Sequence, residues 1–413
     1  MLTILKNPTQ IVTVNTDGKN FKRGKAMNEI DIISDHSIII EKQLIKDIVS
    51  NNSLKKKIDC DSIDLENKII LPGLIESHTH AAFAGSRANE FRMRLQGKNY
   101  EEIARSGGGI IATVKAVRES SFDELVDLVQ PRINHMISRG ITTLEIKSGY
   151  GLSYYDEIKL LQVINHLKKI NKIDILPTFL GAHTFPPEYK NDQDKYIEII
   201  NKSMIPFIAE NNLAIFCDAF CESTAFSAKQ VDEIFDSASK HGLKLKLHTE
   251  QFNVIGGLDV ALNRNAVSAD HLEVIAEEDI NKFSKSETVA ALLPGVSFFL
   301  DYNYAPARKL IDQDAIVALA TDYNPGSSHI IDLNFIMSLA ALKMGMTIEE
   351  TISAVTINAA KALDVNSSVG SIEIGKQADF SVYNTNEYSD IAYQVGRNLN
   401  CMTIKNGEVI YKN

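Results

Sequence analysis

Between residues 70 and 325 the chain repeats one pattern eight times: a short apolar run, then a longer segment with helical spacing. The runs are Leu74–Thr79, Ile141–Lys147, Ile175–His183, Ile215–Glu222, Leu243–Glu250, Ala266–His271, Thr288–Pro294 and Ile316–Asp322. Between them, apolar residues recur three or four positions apart. Phe122–Arg139 does this with Leu125, Val126, Val129, Ile133, Met136 and Ile137, and Asp156–Lys168 with Ile158, Leu160, Leu161, Ile164 and Leu167. Such runs suit parallel strands covered on both faces, and such segments suit the helices that cross between them. Eight units over roughly 250 residues is the count of a (β/α)8 TIM-type barrel. A doubly wound sheet is the alternative, but it calls for a glycine-rich fingerprint after an early strand. Gly107-Gly108-Gly109 follows Ser106 in a polar stretch instead, so it reads as a mobile loop and not a phosphate cradle.

The two ends read differently. Residues 1–70 hold β-rich runs at Thr3–Leu5, Gln10–Val14, Ile30–Asp35 and Ser37–Glu41, without a consequential amphipathic helix. Residues 365–413 hold Phe380–Tyr383, Met402–Lys405 and Glu408–Tyr411, the last two joined by the hairpin signal Asn406-Gly407. A barrel of residues 71–364 inserted between two β-rich ends predicts that the ends pair into one small β-sandwich domain.

Composition narrows the class. A net charge of -10 argues against a nucleic-acid partner, whose phosphates need a basic face. The opening Met1–Asn7 lacks the apolar stretch of a signal peptide, and no segment has the unbroken apolar length of a membrane span. Cys60, Cys217, Cys221 and Cys401 are scattered, which fits a reduced, cytoplasmic setting.

Chemistry concentrates where the runs end. In an extended segment alternate side chains share a face, so His78 and His80 point the same way from the end of the first run. A lone His-x-His is more often a pair of surface residues than half of a metal site. Here the third, fifth and sixth runs end in His183, His248 and His271, and the eighth in Asp322. Five of the ten histidines thus fall on the face where barrel active sites are built, a placement that scattered surface histidines would not produce.

Pro72-Gly73-Leu74-Ile75-Glu76-Ser77-His78-Thr79-His80, a later strand-end histidine, Thr321-Asp322 and Gly375-Lys376-Gln377-Ala378-Asp379-Phe380 together resemble the amidohydrolase superfamily. These are metal-dependent barrel hydrolases with a small β domain made from both chain ends. Ser77–Phe91, Ser106-Gly107-Gly108-Gly109-Ile110, Glu145–Leu152 and Thr321–Ser327 are similar to the branch that opens the ring amide of 4-imidazolone-5-propanoate, giving N-formimidoyl-L-glutamate in histidine degradation.

The resemblance implies a homodimer, and one zinc or iron ion held by His78, His80, His248 and Asp322. Relatives with two metals bridge them by a carboxylated lysine on the fourth strand. Run four, Ile215-Phe216-Cys217-Asp218-Ala219-Phe220-Cys221-Glu222, has no lysine, which predicts a single ion; Lys147 reads better as part of a structural ion pair. For the proton transfers the candidates are Asp322, His271 and Gln251, the last able to orient by hydrogen bonding but not to accept a proton. The resemblance assigns substrate contacts to Arg87, Tyr100, Tyr150, His183, Asn324, Gly326 and Ser327. Arg87 would anchor the propionate tail as a guanidinium fork, with Arg92 and Arg94 as rivals. Two other readings stay open: a mononuclear aminohydrolase of a purine, pyrimidine or triazine, which needs no carboxylate anchor, and a catalytically silent scaffold, which would need a broken ligand set.

Overall fold

The computed structural model describes residues 2–54, 60–98 and 108–413. The eight runs form one parallel sheet whose strands lie side by side in chain order. They are β1 (Leu74–Glu76), β2 (Ile141–Lys147), β3 (Asp174–Ala182), β4 (Phe216–Cys221), β5 (Lys244–Thr249), β6 (Ser268–His271), β7 (Val289–Leu292) and β8 (Val317–Leu319). The sheet closes on itself through a parallel bridge between Thr79 and Tyr323. There Asp322 N donates to His78 O (3.1 Å) and His80 N to Tyr323 O (3.0 Å). The fold is therefore a TIM-type barrel, and the seam of its first and last strands sets the His-x-His segment against Asp322.

Strand and helix boundaries follow local chemistry. All seven residues of β2 are buried, as expected for a strand covered on both faces. The helix Phe122–Ser138 starts at a capping box in which Ser121 and Glu124 satisfy each other's backbone N–H groups, and Ser227 with Gln230 does the same for Ala228–Lys240. Six of the eight runs are shorter as strands than the sequence suggests; among them β1 stops at Glu76 and β8 at Leu319. Beyond the ladders the backbone turns sharply, with left-handed φ at His271 (86°) and Asp322 (48°). Such residues are uncommon and gather at functional sites, where a turn aims a side chain off the strand end.

Both chain ends build the second unit. One sheet, in spatial order, is Leu44–Ser50, His36–Glu41, Leu2–Lys6 and Asp61–Asp64. The other is Glu408–Lys412, Asn400–Lys405, Phe380–Tyr383, Ile69–Pro72, Gln10–Val12 and Ile32–Ile33, so the ends meet where Phe380–Tyr383 pairs antiparallel with Ile69–Pro72. Leu5, Ile38 and Ile40 from the first sheet and Ile70, Phe380, Val382 and Ile404 from the second share one core, which makes the unit a β-sandwich. Asn406 and Gly407 both take positive φ (52° and 79°), the type I′ turn that their sequence predicts. Lys405 ties the sandwich to the barrel: its Nζ lies 2.6 Å from Asp379 Oδ2 and 2.5 Å from Asp174 Oδ2 at the start of β3. Among the described residues no helix is long and apolar enough to cross a membrane.

Candidate active site

Four side chains converge at the carboxyl end of the barrel. His78 Nε2 and His80 Nε2 lie 3.3 and 3.2 Å from Asp322 Oδ1, and His80 Nε2 lies 3.2 Å from His248 Nε2. Two overlapping trios, His78 with His80 and Asp322 and His78 with His248 and His271, each bring one ligand atom per residue within 4.8 Å of the others. All of these residues are buried. Buried polar atoms are rarely left unpaired, yet His78 Nε2 and Asp322 Oδ1 have no hydrogen-bond partner among the described residues. Nitrogen and oxygen atoms gathered this closely, buried and unsatisfied, fit a divalent metal ion.

Carboxylates behind the imidazoles fix which nitrogen faces that point. His78 Nδ1 donates to Asp270 Oδ2 (2.6 Å) and His248 Nδ1 to Asp218 Oδ1 (3.1 Å), so each ring presents Nε2 to the centre. Burial opposes charge on these carboxylates, but Lys246 and His78 around Asp270, and His248 and Lys147 around Asp218, hold both below the usual carboxylate range. His271 Nδ1 lies 3.3 Å from Glu273 Oε1, which leaves its Nε2 for the cavity. Neither Asp218 nor Asp270 stands out as a ligand partner in the sequence. The one available signal is a charged residue inside an otherwise apolar run, as in Phe216-Cys217-Asp218-Ala219.

A cavity of about 280 Å³ opens over this point. His80, His248, His271 and Asp322 line its floor, with His78 sealed beneath. Of the expected substrate contacts, Arg87, Tyr150, His183, Asn324, Gly326 and Ser327 all line it, as does Gln251. Tyr100, Ser106 and Gly107 lie outside the described residues. Of the rival arginines, Arg94 lines the cavity, whereas Arg92 bonds to Asn89 on the exposed side of its helix. Phe220, Phe252, Leu300 and Ile110 add apolar walls that the sequence reading did not single out.

The loops carrying these residues are held internally. Asn324 Oδ1 accepts from the backbone of Gly326 (2.8 Å) and Ser327 (2.7 Å), while its Nδ2 donates to Asp322 Oδ2 (3.0 Å). A side chain at Gly326 would place its Cβ 2.0 Å from Arg87 Nη1, so only glycine lets the guanidinium seat there. Arg87 itself is engaged: Nε (2.9 Å) and Nη2 (2.7 Å) both donate to Glu90 Oε2. Glu90, which lies within Ser77–Phe91 but has no role assigned from sequence, lines the cavity and accepts from Gly109 N (3.0 Å) through its other oxygen. In the segment after β2 the buried Glu157 carboxylate accepts from the backbone of Gly149, Gly151 (2.8 Å) and Leu152 (2.8 Å), fixing the turn that holds Tyr150. Gly149 O in turn lies 2.9 Å from His183 Nδ1. Burial, reinforced by His80, drives His183 down to about 3, so it is a neutral ring that donates to Gly149 O and offers Nε2 as an acceptor.

Comparison with known proteins places the chain in a family. The model of the Amidohydrolase family matches residues 69–410. An imidazolonepropionase of Clostridium tetani is 40% identical over 412 residues, covering 99% of this chain and 98% of its own. An imidazolonepropionase of Vibrio campbellii is 45% identical over 350 residues, 84% of each chain. Among solved structures, an adenosine deaminase from Xanthomonas campestris with bound zinc superposes with a TM-score of 0.74 at 14% identity, covering 99% of this chain and 93% of its own. A zinc-bound atrazine chlorohydrolase from Arthrobacter aurescens does so at 0.71 and 15%, covering 100% and 95%. At such identities the two structures attest the fold alone.

Proposed function

Because the chain belongs to the amidohydrolase family, and within it to the imidazolonepropionases, we propose that it opens the ring amide of 4-imidazolone-5-propanoate to give N-formimidoyl-L-glutamate. The observation that carries this reading is the pairing of a histidine–aspartate centre with an arginine in one small cavity, in a chain matching imidazolonepropionases over nearly its whole length. In the reaction one water adds across the ring C–N bond. Its oxygen ends in a new carboxylate, and the leaving ring nitrogen gains a proton.

His78, His80, His248 and Asp322 would hold one zinc or iron ion, which when bound polarises a carbonyl and makes water acidic enough to attack near neutral pH. The other roles belong to this chain's own side chains. Asp322 can receive the proton of the attacking water, and His271 can pass it to the departing nitrogen. Gln251 can orient the amide but cannot take a proton. Arg87 faces the propionate, which must share the guanidinium with Glu90 or displace it. Tyr150, His183, Asn324 and Ser327 bound the ring, and Tyr100 is assigned to it by the resemblance. We extend the reading to a cytoplasmic homodimer, for which light scattering should return about twice the 45.8 kDa of the chain.

The aminohydrolase alternative draws on the same barrel and metal chemistry but has no use for an arginine at the tail position. Purified, zinc-loaded protein should consume imidazolone propionate and leave cytosine, guanine and adenosine unchanged. A kcat/KM for any of those bases equal to or above that for imidazolone propionate would overturn the proposal.

A further inference from the structure

Directly behind the four candidate ligands lies a cluster of fully buried charges that the proposed chemistry does not use. The Lys147 ammonium, at the end of β2, sits 2.7 Å from Glu145 Oε1 and 2.8 Å from Asp218 Oδ2, and all three side chains are completely buried. Burial alone would strip the lysine of its proton, but Asp218 and Glu145 hold it well above the ordinary lysine range. Each carboxylate is also tied to a candidate ligand. The second oxygen of Glu145 accepts from the backbone N–H of Thr79, the residue between His78 and His80 (3.0 Å). Lys147 N donates to Thr79 O (3.0 Å), so both backbone polar groups of Thr79 are held from β2. The second oxygen of Asp218 accepts from His248 Nδ1 (3.1 Å). A chain of polar contacts therefore runs from the His-x-His segment through Glu145, Lys147 and Asp218 to His248.

We infer that Lys147 is a positioning residue that serves as a built-in second cation: its ammonium bridges two carboxylates which, without it, would form a site for a second metal ion. Without the ammonium, Glu145 Oε1 and Asp218 Oδ2 would face one buried point as two oxygen donors with no cation between them. The ammonium thus does two things. It sets the spacing between the two arms of the ligand set, and it limits the centre to one ion. The single-metal expectation then rests on a residue that is present as well as on the strand-four lysine that is missing.

This inference rests on the one-metal reading above, and zinc binding separates the two. Apoprotein prepared with a chelator is titrated with zinc against a competing chromophore, which reports stoichiometry and affinity without turnover. Wild-type protein should bind one equivalent; none, or two, would defeat the metal reading itself. Lys147→Met removes the charge but keeps the bulk, and should weaken the single site roughly tenfold or more, the usual effect of losing support behind a ligand. Lys147→Ala opens the space as well and should take up a second equivalent of zinc, while Lys147→Arg should stay at one. Wild-type affinity in K147M, or one equivalent in K147A, overturns the inference. Should either variant fail to fold, E145Q/K147M removes the opposite charges together; it should still bind zinc about tenfold more weakly, and wild-type affinity in it overturns the inference equally.

Discussion

Arg87 and Glu157 act on the cavity from the segments that follow two adjacent strands, β1 and β2, and each makes a separate prediction. The fork of Arg87 can grip a carboxylate through parallel N–H donors, which the point charge of lysine reproduces poorly. Arg87→Lys should therefore lower kcat/KM for imidazolone propionate about a hundredfold, on the order of 2–3 kcal/mol. Steady-state kinetics decide it: an unchanged value would move the anchor to Arg94, the other arginine of the cavity wall. Glu157 touches no substrate, but its carboxylate holds the backbone of Gly149, Gly151 and Leu152, and through Gly149 O the ring of His183. Glu157→Gln loses charged acceptor strength at three N–H groups and should raise KM roughly tenfold, with bound zinc unchanged. A loss of zinc in parallel would mean that the residue supports the whole face and not the substrate loop.

Elements differ in how far their sequences announce them. The barrel strands were legible because burial on both faces leaves unbroken apolar runs, and β2 matches its run residue for residue. Phe380–Tyr383 was equally plain. The strands Leu44–Ser50 and Asp61–Asp64 were not, since both are largely exposed and carry lysine or aspartate on their open faces. Candidate ligands could be placed because each closes a run. Their supporting carboxylates could not, because Asp270 meets His78 across 192 residues of sequence. Glu90 was missed for the opposite reason: three residues from Arg87, it resembles an ordinary helical ion pair until the fold sets both in one cavity. The Asn406-Gly407 turn shows what short-range signals do carry. At Gly407 φ is +79° and an added Cβ would meet Ile40 Cγ2 at 3.0 Å. Gly407→Ala should accordingly cost about 1 kcal/mol or more in chemical denaturation, with kcat unchanged. Wild-type stability in that variant would show that the turn relaxes freely.

For the molecule as a whole, the question is how the sandwich of the two chain ends belongs to the barrel. We propose that the two chain ends, residues 1–70 with the strand Ile69–Pro72 and residues 365–413, form one unit docked on the barrel that follows, with Lys405 as one buried link between them. Its ammonium is 1% exposed and reaches Asp379 in the sandwich and Asp174 in the barrel. Lys405→Met should leave Asp379 buried without its partner and cost about 3 kcal/mol. In urea the wild type should unfold in one transition and the variant in two, with the fraction of active protein following the barrel transition. One cooperative transition at the wild-type midpoint would show that the contact couples nothing.

Everything assigned to the active face depends on His78, His80, His248 and Asp322 meeting at one ion. Anomalous diffraction at the zinc edge, from crystals of the zinc-loaded protein, locates that ion without reference to turnover. The expected result is one strong peak per chain, within about 2.0–2.2 Å of His78 Nε2, His80 Nε2, His248 Nε2 and an Asp322 carboxylate oxygen. Two peaks per chain, or one peak held by other residues, would contradict the account.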